Sequence, residues 1–359
     1  VRGLEERYNN LLINDLQAPS NSPFKKIIPL DLFPTDIVGA LNVYKTFNPN
    51  IPGDFAGATI NIETAQPRAS ITKISTSLGY TTNNNGRDFL ISKDANTTQG
   101  FLGLLGKDRE LPTTFGNVPS GKILTPGQNE ASSKQNSWNV DNSSSPINSG
   151  IGFLHSEKFN LEKNRSISYI FSLNADNRYQ VLEGIDRTFN QGQGNYDNNF
   201  AVSKYNYTTT LSGLVGVKFK SDCFDIAMNS FVLRSTSSVI QDQLGYKNSL
   251  NTNPNVLIRL NQFEESKYWN NQILANYKLT ANGKHALKGG FSFVKTAYGL
   301  PDRKVITGEK LNETEIKTTY GADNLIRQYF DVSGDRFFSG MVEYAVILKE
   351  KDNGKDTKL

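Results

Sequence analysis

The first candidates for chemistry are three carboxylates near the N-terminus, Asp31, Asp54 and Glu63. Two carboxylates in one cleft can act as a general acid and a general base when a substrate proton lies within reach. The sequence places no two of these three in a common cleft, and each falls in a predicted loop or at a predicted strand edge. Solvation is the ordinary role of such side chains, so we predict no catalytic pair.

The two histidines and the cysteine do not indicate catalysis or metal binding either. His155 and His285 are far apart in sequence and lie beside predicted turns, which disfavours a Ser/His/Asp arrangement. Cys223 is the single cysteine, so an internal disulfide is impossible and a Cys/His metal cluster is not supported. The sequence therefore predicts a protein that is not an enzyme, with no catalytic, cofactor-binding or metal-binding residues.

A Pro- and Gly-rich segment, residues 49–57, could be mistaken for a phosphate-binding loop. It lacks the Gly-Lys-Ser/Thr ending of such loops, and a strand rather than a helix is predicted after it. Pro52 fixes one backbone dihedral, whereas Gly53 and Gly57 allow close backbone approach, so we predict a compact loop. Phe47 and Phe55 are predicted to anchor this loop by packing, and direct ligand contact by Phe55 is the alternative.

The elements around this loop predict a small mixed α and β unit. Leu11 to Asp15 is typical of a short strand that ends in a turn, and residues 29–40 indicate a turn plus one short helix, with Thr35 or Asp36 as its N-cap. Val43 and residues 60–62 are predicted to share a small sheet.

From Ser70 onward the hydropathy alternates with a period of two, which is typical of strands with one wet face. The clearest examples are residues 166–173, 211–219, 273–279, 287–293 and 342–348. Short polar turns alternate with long polar segments at 181–203, 241–262 and 301–335, which we expect to be loops. This asymmetry is typical of outer-membrane barrels rather than of soluble sandwiches.

Composition restricts the class of partner without deciding between membrane and water. The 359-residue chain has a net charge of +4 and dispersed basic residues, so a nucleic-acid partner is not expected. No apolar run is long enough for a membrane helix. The mean hydropathy of −0.47 would suit a soluble protein, but barrel strands expose only alternate residues to lipid.

Residues 36–64 carry a family resemblance. Asp36-Ile37, Val43, Lys45, Gly57 and the run Ile60-Asn61-Ile62-Glu63-Thr64 resemble the C-terminal part of the plug domain of TonB-dependent outer-membrane receptors. Thr46-Phe47 and Ala58 depart from the common form of this pattern. The version with Pro52, Gly53, Asp54 and Phe55 resembles a Bacteroidota-type subgroup, and not the glycan importers that work with a surface lipoprotein lid.

The upstream pair Arg2-Gly3 resembles the Arg-Gly motif of the same plug domain. In that family the arginine of this motif pairs with barrel glutamates and holds the plug in place. The resemblance implies this role for Arg2, and a solvated arginine is the plain alternative. The plug-motif residues that the resemblance assigns to structure or gating are Arg2, Gly3, Lys45, Pro52, Gly53, Asp54, Phe55, Gly57 and Asn61.

The resemblance implies a mainly β fold, namely a transmembrane antiparallel β-barrel with a small α+β plug in its lumen. Residues 1–69 would form the C-terminal part of the plug, and residues 70–359 the N-terminal part of a barrel of about 22 strands with long extracellular loops. We therefore expect the chain to be a fragment. Strict up-and-down parity places residues 96–133 on the periplasmic side and needs an extra short strand near 135–141, with a long outer loop as the alternative.

The function that the resemblance implies is import across the cell outer membrane, with an external ligand bound between the outer loops and the plug. The TonB–ExbB–ExbD complex would be the energising partner and outer-membrane lipid the surroundings; a surface lipoprotein or other complex subunits are further partners to consider. One alternative is a receptor-like barrel that acts as a structural or assembly subunit. Another is a soluble β-rich adhesin or carbohydrate-binding module, which leaves the plug-like N-terminus unexplained.

Overall fold

The computed structural model describes residues 6–66, 70–104, 109, 138–192, 194–247, 251–280, 283–318, 324–349 and 357–358. Within these ranges the chain is mainly β, with a small N-terminal sheet and a large antiparallel sheet that curls as half a barrel. The predicted mainly β, barrel-type fold class is confirmed. None of the described helices has the length and hydropathy needed to cross a membrane.

The N-terminal module (residues 6–66) is built on a four-stranded sheet with the order β2-β1-β4-β3. Strands β1 and β4 are parallel, and every residue of these two strands except the exposed Glu63 is buried, because both faces of the sheet are covered here. The predicted pairing of Val43 with residues 60–62 is confirmed, since Val43 lies opposite Ile60. The strands are β1 (Asn10–Ile13), β2 (Leu16–Gln17), β3 (Val38–Tyr44) and β4 (Thr59–Thr64).

The predicted short helix at residues 29–40 is wrong. The segment contains two 3-10 turns, Leu30–Leu32 and Thr35–Ile37, and neither has a side-chain cap hydrogen bond. The cap positions are Pro29 and Pro34 rather than Thr35 or Asp36. Each proline disfavours the helical conformation of the residue before it, so the chain cannot join the two turns into one helix.

The large sheet contains ten strands within the described residues, in the order β16-β15-β13-β12-β11-β10-β9-β8-β5, with β14 beside β13. The first strand of the sheet is β5 (Ile71–Gly79), and it pairs directly with β8. The others are β8 (Asn148–Leu161), β9 (Arg165–Asn190), β10 (Asn195–Lys220), β11 (Phe224–Lys247), β12 (Asn251–Lys278), β13 (His285–Lys310), β14 (Ile316–Lys317), β15 (Leu325–Lys349) and β16 (Thr357–Lys358).

The segments 181–203, 241–262 and 301–335 are mostly strand, so their prediction as loops is wrong. Strand β9 continues to Asn190 and β10 begins at Asn195, which leaves a short turn between two long polar strands. Paired strands satisfy their own backbone hydrogen bonds, so they need no apolar face to stay extended. The predicted asymmetry persists in another form, with short turns at one end of the sheet and long hairpins at the other.

The chain between β5 and β8 forms an insertion, of which residues 80–104, 109 and 138–147 are described. It contains β6 (Asp88–Ser92), α1 (Thr98–Phe101) and β7 (Val140–Ser144), and β6 pairs with β7 outside the large sheet. Because β5 and β8 are neighbours, the insertion emerges at the long-hairpin end. The expectation that strict parity puts residues 96–133 at the opposite end is therefore wrong for residues 96–104 and 109, and the rest of that range lies outside the described residues. Residues 135–137 of the predicted extra strand lie outside the described ranges.

The large sheet is covered on one face near the short turns and on the opposite face near the long hairpins. Face A is the face of Ile170, Leu214 and Phe231, and near the short turns it packs against the N-terminal module. Face B is the opposite face, and near the long hairpins its residues Tyr179, Tyr207 and Phe263 pack against the insertion. The register of β9, β10 and β11 is continuous through this change, so the switch comes from what covers the sheet and not from a bulge.

Candidate functional site

The contact between the N-terminal module and face A is the first part of the candidate site. Its centre is apolar: Leu11, Ile13, Ile28, Ile60 and Ile62 from the module share one buried cluster with sheet residues Ile170, Leu214, Phe231, Leu233, Tyr268 and Val294. Burial of large aliphatic side chains contributes about 1.5–3 kcal/mol each. Packing in this apolar cluster is therefore the main interaction that holds the module on the sheet.

A buried polar network lies beside this cluster, at the turn between β1 and β2. Asn14 has a left-handed backbone with φ of 53°, a conformation that asparagine adopts more readily than most residues. Its amide donates to Gln272 at 2.6 Å and to the Thr64 hydroxyl at 3.0 Å. Gln272 in turn donates to the Ile13 carbonyl at 2.9 Å, and Asn229 donates to Thr64 at 3.2 Å. The network joins the module to β11 and β12 through hydrogen bonds between buried side chains.

A charged contact closes the same turn on its wetter side. The Asp15 carboxylate accepts hydrogen bonds from Lys288 of β13 and, at 2.6 Å, from Asn61 of β4. Both charged side chains are more than one-third exposed, so the ion pair contributes at most about 1 kcal/mol. Asn61 itself is buried, which gives this plug-motif residue a definite structural partner in Asp15.

The Pro- and Gly-rich segment at residues 49–57, here called the plug-motif loop, lies between β3 and β4 at the edge of the module. Gly57 is buried, and a Cβ at this position would lie 2.2 Å from the Asn9 Oδ1 atom. Asp54 accepts a hydrogen bond from Asn10, and its backbone carbonyl accepts one of 3.0 Å from Lys26. Backbone approach at Gly57 and the side-chain contacts of Asp54 therefore shape this loop.

The remaining described motif residues other than the buried Asn61 lie at or near the surface of the module. Lys45 and Gly53 are exposed, and Pro52 and Phe55 are half-buried. Phe47 is 71% exposed, so its predicted role as a packing anchor is wrong; its ring merely lies against Gly53. Arg2 and Gly3 lie outside the described residues, and the role of Arg2 as a lock stays a prediction.

Two polar cavities flank the module, one on each side along the strands. A cavity of about 1030 Å³ lies towards the long hairpins. Amides and hydroxyls dominate its wall, including Asn21, Ser75, Asn174, Asn206, Thr208 and Thr210. A cavity of about 220 Å³ lies towards the short turns and is lined by Asp15, Gln66, Lys218, Asp225, Asn276 and Lys288. The module separates these two polar spaces.

One wall of the larger cavity is closed by an ion pair between Lys73 of β5 and Asp36 of the module, 3.0 Å apart. Asn21 donates to Ser266 at 3.1 Å, and its own amide oxygen has no hydrogen-bond partner. A buried acceptor without a partner costs free energy that a bound hydroxyl or amide would recover. The cavity is thus chemically suited to a polar ligand.

The insertion is held on face B by aromatic packing and by a few polar contacts. Asn261 of β12 donates a 3.0 Å hydrogen bond to the Ser92 hydroxyl, and the Arg109 guanidinium lies 5.1 Å from the centre of the Phe263 ring. Buried charge pairs lie on both sides of this contact. Arg259 and Asp242 of the large sheet form a bidentate pair at 2.7 Å, and Arg109 of the insertion contacts Asp94 at 2.7 Å. Lys304 of β13 lies 3.2 Å from Asp302, and both side chains are fully buried. Among the described ranges no group of three or more acidic, His or Cys side chains is placed to hold a metal ion.

Burial and neighbouring charges shift the pKa values of Asp94 and Lys304. Burial alone disfavours the charged carboxylate, but Arg109, the Ser92 hydroxyl and Lys304 outweigh it and lower the pKa of Asp94 below its ordinary value. Burial lowers the pKa of Lys304, and the neighbouring Asp302 opposes part of that change. These buried charges were not predictable from the sequence, because they come from the insertion and from strands β11, β12 and β13, which are far apart in the chain.

The far half of face B, near the short turns, is apolar and open. Val215 is 50% exposed there, whereas its neighbour Leu214 on face A is 1% exposed. On β11 about nine residues, from Phe224 to Val232, separate the short turn from the charged residue Arg234. We call this surface the apolar belt; its exposed members include Leu173, Val215, Val217, Met228, Val232, Ile273, Phe291, Phe338 and Val342.

Polar and aromatic residues mark both borders of the apolar belt. At the border towards the long hairpins, Arg234 and Lys267 contact Glu265 at 2.7 and 2.9 Å. Trp269 is the next face B residue of β12 towards the belt, opposite Val232. At the border towards the short turns, Tyr277 packs against Phe224, and Tyr344 lies at the matching register, because Leu287 of β13 is opposite both tyrosines. Such borders are typical of strands that cross a lipid bilayer.

The fold and the site define a class: an antiparallel sheet of barrel type with a small module packed on one face and an apolar belt on the other. No known family model matches the chain, and no curated protein matches it. Among solved structures it is similar to the ferric yersiniabactin uptake receptor FyuA from Yersinia pestis, with a TM-score of 0.26 and 10% identity. The match covers 98% of this chain and 56% of that receptor, and a TM-score of this size carries no argument about function.

Proposed function

We propose that this chain forms part of a TonB-dependent outer-membrane receptor that imports a ligand by remodelling of its N-terminal module. In this proposal the module is the plug, face A lines the lumen and the apolar belt faces lipid. The apolar belt is the observation that carries the proposal, because a soluble protein has no reason to leave so many large side chains exposed on one contiguous surface.

The dimensions of the belt support this assignment. A membrane-crossing strand of a barrel needs about 9–11 tilted residues, and the belt on β11 has about nine. The strands extend well past the belt at one end only, as expected when long hairpins project from the cell surface. The sequence resemblance of residues 36–64 to a plug domain points to the same class of receptor.

The module has the properties of a gate. It separates the two polar cavities, and apolar packing and a small polar network hold it in place. We propose that an external ligand binds in the larger cavity and that the TonB–ExbB–ExbD complex, through proton-motive force, breaks the module's contacts with β11 and β12. The ligand would then pass towards the smaller cavity. No covalent chemistry is required.

Cysteine labelling in living cells tests this function. Thr64 is buried between the module and the sheet, so Thr64→Cys, in a Cys223→Ser background, should react with a polar maleimide only when the module moves. Lys45→Cys is exposed in the closed state and serves as the matched control. We expect faster labelling of Thr64→Cys in energised cells than in cells without TonB or with a protonophore, and no change for Lys45→Cys.

Two results would overturn the proposal in different ways. Equal labelling of Thr64→Cys with and without energy, in protein that fractionates with the outer membrane, would favour a structural subunit. Recovery of the chain as a monodisperse protein in buffer without detergent would remove the membrane assignment itself.

A further inference from the structure

Three large apolar side chains project from the insertion on face B. Phe101, Leu102 and Leu104, at and just after the end of helix α1, are 46%, 42% and 49% exposed. We call these three residues the apolar tip. The tip lies on a capped helical turn, because the Thr97 hydroxyl accepts a 3.0 Å hydrogen bond from the Gly100 N–H.

The backbone of the apolar tip is fixed to the large sheet. The Phe101 carbonyl accepts hydrogen bonds from Tyr207 and, at 3.4 Å, from Thr209. Arg234 donates to the carbonyl of Gly103. Gly103 has φ of +68°, and a Cβ there would lie 2.6 Å from Thr236, so only glycine allows this close approach. The polar backbone thus faces the sheet and the apolar side chains face away from it.

These contacts set the height of the apolar tip along the strands. Arg234 marks the border of the apolar belt towards the long hairpins, and the next face B residue on the same strand, Val232, is an exposed member of the belt. The tip therefore lies directly beyond the belt, on the same face. Strands β10 and β11 are in the middle of the sheet order, so neither sheet edge lies nearby.

We propose that the apolar tip inserts into the outer leaflet at the boundary between headgroups and acyl chains and extends the apolar belt, so that lipid anchors the insertion. This inference rests on the proposed membrane function. Lipid is the occupant that the position favours, because the tip continues the belt at the level where Arg234, Glu265, Lys267 and Trp269 mark the headgroup border.

Spin-label accessibility tests this proposal in the whole chain reconstituted in phospholipid vesicles. A nitroxide is attached to Leu102→Cys or, as an independent second site, Leu104→Cys, each in a Cys223→Ser background. Val215→Cys reports the centre of the belt, and Ser143→Cys reports a water-exposed position on β7 of the same insertion. Oxygen, which partitions into lipid, and a polar nickel chelate, which stays in water, are compared as collision partners.

We expect both tip labels to collide more with oxygen than with the nickel chelate, at a shallower depth than Val215→Cys, while Ser143→Cys shows the reverse. Tip labels that behave like Ser143→Cys, with Val215→Cys still in lipid, would overturn the inference and leave the proposed function intact. Labels shielded from both reagents would overturn it in favour of a protein cover. A water-accessible Val215→Cys would overturn the inference and the proposed function together.

Discussion

The side-chain amide of Asn14 donates a 2.6 Å hydrogen bond to Gln272, which lies 258 positions further along the chain. This bond connects the turn of the N-terminal module to β12, and Gln272 returns a bond to the Ile13 carbonyl. Both residues are buried, so each partner satisfies the other where water is excluded. These two hydrogen bonds therefore hold the turn of the N-terminal module on the sheet.

Gln272→Ala should weaken this contact between the module and the sheet. The change removes the buried partner of one Asn14 amide hydrogen, which otherwise keeps only Thr64, and the Gln272 bond to the Ile13 carbonyl, which costs about 1–3 kcal/mol. We expect a lower midpoint of urea unfolding in lipid vesicles. Asn42→Ala, which removes only an exposed hydrogen bond to Glu63, is the matched control and should change the midpoint little. Equal effects of the two changes would show that the Asn14–Gln272 contact does not hold the module.

Gly57→Val should loosen the plug-motif loop. The new side chain would enter the space of Asn9, whose Oδ1 atom accepts a 3.0 Å hydrogen bond from the Ala58 N–H. We expect greater sensitivity of cells to large antibiotics at matched receptor levels. Gly53→Ala is the control, because a Cβ there meets only the exposed Phe47 ring at an ordinary 3.4 Å. Unchanged sensitivity in the Gly57→Val strain would mean that the loop tolerates misfit.

Arginine substitutions in the apolar belt should have effects that depend on depth. Val215 lies near the middle of the belt, so Val215→Arg should lower stability in lipid by about 2–4 kcal/mol. Tyr277 lies at the border, and Tyr277→Arg should cost only about 0–1 kcal/mol because the side chain can reach the interface. Denaturant titration in vesicles measures both. Similar costs at the two positions would contradict the depth assignment.

Acid should open the packed insertion on face B. Burial opposes the change, but Arg109 and Ser92 of the insertion and Lys304 of β13 lower the pKa of Asp94 in the packed state. An opened insertion therefore binds more protons as the pH falls, and the free energy of its packing is lost progressively below about pH 4. Limited proteolysis of the insertion with an acid-active protease should therefore accelerate below that pH. In Asp94→Asn the rate should be high and nearly independent of pH. A wild-type rate that stays constant down to pH 2 would contradict this role for Asp94.

Alternation in the sequence was sufficient to predict the sheet, because residues such as Val215 and Phe291 repeat with a period of two wherever one face is dry. It was not sufficient to predict which surface covers each half, since alternation looks the same whether the dry face is Leu214 or Tyr207. The hairpin at residues 181–203 was mistaken for a loop because most of its strand residues are polar. Only three-dimensional pairing of β5 with β8 corrected the position of the insertion.

The candidate site was predictable only in part, for a related reason. Local patterns placed Val43 beside Ile60 and identified Gly57 as a position of close approach. The contacts of Asn14 with Gln272 and of Asp94 with Arg109 join segments whose spacing carries no periodic signal. Such long-range polar pairs depend on the final packing and have no local signature.

Photo-crosslinking from two adjacent residues of β10 tests the central claim most directly. A diazirine amino acid is placed at position 214 or 215 of the full chain in outer membranes, and the adducts are identified by mass spectrometry. Leu214 packs in the cluster of the N-terminal module and Val215 points to the opposite face. The account predicts peptide adducts within residues 6–66 from position 214 and lipid adducts from position 215. Lipid adducts from 214, or protein adducts alone from 215, would contradict it.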